Sequence, residues 1–272
     1  MFSVHDFVRC MSANEKLQHL FMGNGPKQYT EFWEKWRNLQ PKHPVFAEHA
    51  SHLSECVPVM IHCDEGTSQK KKAVMIIQVQ PCLGRGTSKR KATETDPGVN
   101  YLGKSIVTRW LYSVMLARVY SGKKMKNKPL LRLIEHLALD LKSCFRDGIE
   151  VIYLGKSQKL YLVPVGLKGD WAALVKCGEL TRHHLRDVSA KDGGKGICHL
   201  CLGGQESHHW YDISFNNMKK MRIGAPAPWK AEPGLVKHIP LGPYPNLFSR
   251  IDIFHTLHKG VFGDIAANAI DT

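Results

Sequence analysis

Near the end of the chain, Asp252, His255 and His258 stand three apart in the stretch R-I-D-I-F-H-T-L-H-K-G-V-F-G-D. On a helix these three would share a face, because positions three and four apart are neighbours. A carboxylate beside imidazoles there suits a polar constellation built into a buried seam. A helix with one satisfied core histidine is the plainer alternative. Asp64 and Asp170 form a second candidate set, since each directly follows an apolar, β-branched run. If those runs are neighbouring parallel strands, both carboxylates emerge at one sheet edge, where ligand sites of open sheets collect. Hard cations such as Mg²⁺ take carboxylate oxygens, and two of them about 4 Å apart serve phosphodiester transfer. Taken singly, each Asp reads as an ordinary turn former.

Cys198-His199-Leu200-Cys201 is a C-x-x-C in a glycine-rich setting, half of a tetrahedral zinc site. His208 or His209, His183 or His184, Cys177, or His255 with Asp252 could complete it. Free thiols remain open. A redox pair would need a helix N-terminus after a strand, which this stretch does not offer. Neither a phosphate-cradling G-x-x-x-x-G-K-[ST] loop nor a serine nucleophile elbow occurs.

The elements that must hold these residues follow from hydrophobic pattern. Residues 1–50 read as a helical, aromatic segment, with Phe32, Trp33 and Trp36 on adjacent turns, Thr30 as N-cap, and Pro41 and Pro44 closing it. Strands are expected at Val57–Cys63 and Ala73–Gln80, paired as a hairpin, with Asp64 to Ser68 as the turn. A basic loop spans 84–98. A third strand is expected at Ser105–Ala117, with a helix there as the alternative. An amphipathic helix from Pro129 to Phe145 stops before Gly148. A strand at Lys159–Leu167 then precedes a helix running from Ala172 towards His184. The domain reading is a helical segment 1–50, a core 51–185, an irregular C-x-x-C insertion 186–249 and a D-x-x-H helix 250–272. The fold class is α/β, with an α+β mixed sheet.

With 272 residues, 43% of them apolar, the chain is globular in composition. Its +14 formal charge favours polyanionic partners, nucleic acid before membrane surface. No stretch reads as a membrane span or a secretory signal. Eight scattered cysteines fit a reducing compartment better than a disulfide framework. A soluble, intracellular protein is expected.

In order, the strand ending C-D-E-G-T-S, the turn K-G-D-W-A-A-L, the knuckle C-H-L-C and the closing D-I-F-H-T-L-H-K-G-V-F-G-D resemble the transposases of cut-and-paste DNA elements, in particular the Plavaka-like and CACTA (En/Spm-like) groups. The resemblance covers roughly residues 55 to 270. It implies an RNase H-like core acting on DNA in the nucleus, with Asp64 and Asp170 as first and second catalytic acids binding Mg²⁺ or Mn²⁺. It also implies structural Zn²⁺ on Cys198 and Cys201, with Asp252 and His255 as further metal ligands, and a possible homo-oligomer. The family's third acid is a glutamate beyond the D-x-x-H stretch. The fourteen residues after His258 hold Asp264 and Asp271 but no glutamate. The resemblance therefore implies a C-terminally truncated transposase, expected to be inactive as this fragment. Two other readings stay open. One is a non-enzymatic, zinc-containing nucleic-acid-binding protein using basic loops at 70–72, 89–91 and 123–128. The other is a metal-dependent nuclease whose remaining ligand is Glu65 or His255.

Overall fold

The computed structural model describes residues 3–17, 27–67, 72–83, 86–87, 90–91, 109–124, 126–184, 196–222, 225–252, 257 and 262–270. His255, His258 and Lys89 lie outside the described residues, as does the start of the expected third strand.

Two helices open the chain. In α1 (Val4–Ala13) the Ser3 hydroxyl and the Asp6 carboxylate cap each other's backbone amides. In α2 (Lys27–Leu39) the fully buried Trp33 donates its indole N–H to the Cys56 carbonyl at 2.9 Å. Helix α2 begins before Thr30, which is therefore inside the helix and not its cap.

Strand β1 (Cys56–Thr67) pairs antiparallel with β2 (Ala73–Pro81), as the two apolar runs predict, and β3 (Trp110–Leu116) pairs antiparallel with β2. Asp64 lies inside β1, facing Ile76, because the strand runs on to Thr67 instead of turning at Asp64. Helix α3 (Lys128–Arg146) buries Leu130, Ile134, Leu137, Leu141 and Phe145 along one stripe. Asp140 on this helix accepts the Val4 amide at 2.6 Å and so anchors α1.

A hairpin then leads from β4 (Ile149–Tyr153) into the long β5 (Lys156–Gly169). The first half of β5 pairs with β4. Its second half runs parallel to β1 in the register Ile61↔Leu167, His62↔Lys168 and Cys63↔Gly169. Helix α4 (Trp171–Cys177) follows at once, with Asp170 as N-cap, and is shorter than the sequence suggests. After α5 (Phe215–Arg222), helix α6 (Gly234–His238) packs on α3, where the His238 ring meets Glu135 at 3.1 Å. Strand β6 (Ser249–Ile251) adds parallel to the far edge of β5, and α7 (Phe262–Ile270) is the last element described.

The result is a mixed α/β chain of the α+β class, with a mixed sheet in the order β3-β2-β1-β5-β4 and β6 beside the end of β5. One sheet face is apolar and buried, carrying Val59, Ile61, Cys63, Met75, Ile77 and Val79. The opposite face is polar and half-exposed towards the carboxyl ends of β1 and β5. Among the described residues no helix is long and apolar enough to cross a membrane.

The β4–β5 hairpin was illegible as sequence because its two-residue turn is Leu154-Gly155, both left-handed at φ 51° and 75°. Such a turn prefers asparagine at its first position, and Leu154 is exposed. Leu154→Asn is expected to stabilise the protein by about 0.5–1 kcal/mol, read as a higher midpoint in urea. His43 is buried, its Nδ1 accepts the Val45 amide, and burial depresses its pKa to about 4. The folded form thus favours neutral His43. Between pH 6.5 and about 4 the unfolded chain holds one proton more, and stability falls as pH falls through that window. The loss attributable to His43 is on the order of 3 kcal/mol. His43→Asn is expected to flatten the pH dependence of stability there relative to wild type.

Candidate functional site

Where β5 and β6 end, three parallel strands meet in register, β1 running on to Thr67. Cys63, Gly169 and Ile251 pair across β1, β5 and β6, and the next residue in each strand direction is Asp64, Asp170 and Asp252. The Asp252 amide donates to the Gly169 carbonyl at 3.2 Å, which extends the β5–β6 ladder to this position. Asp252 is therefore held by a strand end. The helical face expected for it together with His255 does not begin there, and His255 itself lies outside the described residues.

Glycine at 169 is what permits this approach. A Cβ there would collide with the Cys63 carbonyl of β1 and lie 3.4 Å from the Ala173 side chain of α4. Asp170 then turns the chain. Its Oδ1 accepts the Ala173 amide at 2.6 Å, satisfying one of the free N–H groups that open α4.

Asp64 is half-buried and makes no hydrogen bond or ion pair among the described residues. His62, two residues earlier on the same face, accepts a 2.7 Å hydrogen bond on Nδ1 from the Gln78 amide, which leaves the proton on Nε2. Burial depresses its pKa, and Lys168 does so further, against the opposing charges of Asp64 and Asp252. Glu65 faces the other way. It accepts hydrogen bonds from Tyr120 at 2.7 Å and from Lys176 of α4. Committed to that buried ion pair, Glu65 ties α4 to β1 and is unsuited to the ligand role the nuclease reading offered it.

Carboxylates at adjacent strand ends are the hard oxygen donors that Mg²⁺ or Mn²⁺ takes, so the residue types fit such an ion. Their side chains are not drawn together, and among the described residues no three His, Cys, Asp or Glu side chains form a ready metal shell.

At the C-x-x-C turn the Cys198 thiol is brought down to about 6, first by a hydrogen bond from Cys201 and also by the Leu200 and Cys201 amides and by nearby His184. The Gly203 amide points at the Cys201 sulfur at 3.4 Å. The donors aimed at Cys198 favour thiolate there, the form that binds metal. The Cys201 thiol, donating to Cys198 and partly buried, is pushed well above its ordinary range. Two sulfurs at this spacing fit half of a zinc site. Of the partners the sequence left open, Cys177 is spent in the core, hydrogen-bonded to Cys63. The His208 ring bonds to the Glu206 carbonyl and His209 stacks on Tyr211 at 5.2 Å. His184 lies nearest in electrostatic terms. His199, which spacing did not single out, is 1% exposed, and its Nδ1 has no hydrogen-bond partner among the described residues.

This turn also braces the strand ends. His199 Nε2 donates to the Ser249 carbonyl of β6 at 3.2 Å, and its ring packs on Trp171 of α4 at 5.4 Å. Buried Arg182 fastens the turn from beneath through the Cys198 carbonyl at 3.1 Å and the Pro226 carbonyl at 2.5 Å. Comparison with protein-family models, with curated proteins and with solved structures finds no match to this chain.

Gly169→Ala should force β5 away from β1 one residue before Asp170. A destabilisation of about 1–3 kcal/mol is expected, measured by chemical denaturation. A variant as stable as wild type would show that the close approach is not required.

Proposed function

We propose that the chain is an RNase H-like core of the cut-and-paste transposase type, built for divalent-metal-dependent cleavage and transfer of DNA phosphodiester bonds. The observation that carries this reading is the alignment of Asp64, Asp170 and Asp252 one residue beyond the register-paired trio Cys63, Gly169 and Ile251. Three antiparallel strands continued by parallel ones, with a helix crossing between, are also the arrangement that an RNase H-like core requires.

In this reading Asp64, Asp170 and Asp252 would hold the Mg²⁺ or Mn²⁺. Bound there, the ions would supply an activated water and charge stabilisation at the leaving oxygen. Asp252 would be the third carboxylate of the row. Asp64 would contribute a carboxylate with no competing side-chain partner among the described residues. Asp170 contributes the oxygen that does not cap α4. His62, neutral with its proton on Nε2, offers a hydrogen-bond donor beside Asp64. Cys198 and Cys201 would hold structural zinc, and through His199 and Ser249 that turn keeps β6 at the depth Asp252 needs.

A second reading, a non-enzymatic zinc-containing DNA-binding protein, is favoured by two features. The carboxylates do not converge, and Asp170 is already engaged as a helix cap. Nicking of supercoiled plasmid with Mn²⁺, with zinc content measured on the same samples, separates the two. The first reading expects Asp64→Asn and Asp252→Asn each to lower nicking at least a hundredfold, with folding and zinc content intact. DNA binding and stoichiometric zinc without any nicking would decide for the second.

A further inference from the structure

On the polar face of the sheet, one row behind the carboxylates, four side chains stand in register across four strands. Gln78 of β2 pairs with His62 of β1, His62 with Lys168 of β5, and Lys168 with Arg250 of β6. Because side chains alternate along a strand, this row and the Asp64–Asp170–Asp252 row share a face, two residues or about 7 Å apart. Adjacent strands are about 4.8 Å apart, so His62, Lys168 and Arg250 are successive neighbours across three strands.

The two cations in this line are unusual in their neighbours. Lys168 and Arg250 are both half-buried, yet neither makes an ion pair among the described residues, although carboxylates lie one row away. Withdrawing a cation from water without a partner is costly, so the arrangement favours an anion from outside the chain. Arg250 is also held in place. Its stem lies over Gly166, where a Cβ would come within 2.9 Å of it, and its guanidinium stacks 5.6 Å above the Trp36 ring. A guanidinium so fixed presents its fork in a set direction, as phosphate recognition requires.

We propose that Lys168 and Arg250, assisted by the Nε2–H of His62, bind the backbone phosphates of DNA and lead the strand to the carboxylate row. The inference rests on the DNA reading above and adds the path of the strand. It moves the main phosphate contacts from the basic loops, which the sequence advertises, to a face of the sheet. The row spacing is comparable to the step between successive phosphates of one strand, so a backbone gripped by the cations has its next phosphate at the aspartates.

The test is binding of a fluorescent DNA duplex to the full chain, zinc retained and no Mg²⁺ or Mn²⁺ added, across a salt series. The K168Q/R250Q double variant is expected to bind at least tenfold more weakly, and its salt slope should fall by about 2, one for each lost phosphate contact. The control K123Q/K124Q removes two exposed loop cations and should change affinity less than twofold. Acetylation footprinting of the wild type guards against a misfolded variant: bound DNA should protect Lys168 and leave Lys123 and Lys124 reactive. A double variant that binds like wild type, or a Lys168 equally reactive with and without DNA, overturns the row while leaving the DNA reading standing. A wild type that binds no DNA overturns both.

Discussion

Everything at the candidate site depends on how closely β5 can lie against β1. Parallel strands have no hairpin to hold them in register, so registration has to come from side-chain packing and from the crossover that joins them. Here α3 is the crossover, and its apolar stripe is bound to α1 through Asp140 and to α6 through Glu135. Glycine at 169 lets the backbones come together at the point where the chain leaves the sheet. One methyl group there would separate Asp64 from Asp170 before any question of chemistry arose.

The same edge is stiffened from both faces. On the buried face, Glu65 receives Lys176 and Tyr120, fastening α4 to the end of β1. On the insertion side, the C-x-x-C turn reaches β6 through His199 and Ser249, with Arg182 beneath it. Asp64 and Glu65 are neighbours in sequence, but strand alternation sends them to opposite faces. One has no hydrogen-bond partner among the described residues, while the other belongs to the scaffold.

Much of the sheet could be read directly. Apolar, β-branched runs located β1 and β2, and the 3.6-residue stripe located α3, because these patterns record burial. Three features were hidden. Helix α2 starts before its expected cap because Trp33 burial, not capping, decides where it packs. The β4–β5 hairpin uses Leu154 where a turn signal would be Asn. Strand β6 is only three residues long, too short for any periodicity to show, and Asp252 was accordingly assigned to a helix with His255. The pairing of Asp64 with Asp170 could be suspected from matching positions after two strands. The addition of Asp252 needed β6, and the Lys168–Arg250 row needed the register itself.

Asp170 answers to two constraints at once. Its carboxylate is the hydrogen-bond acceptor that opens α4 and also a candidate ligand, whereas the Asp64 carboxylate has no hydrogen-bond partner among the described residues. If a lineage abandoned the chemistry, folding alone would go on selecting for an acid or its amide at 170, and nothing would protect position 64 from drift. An aspartate at 170 is therefore accounted for by the fold alone, whereas one retained at 64 would point to a role outside the fold.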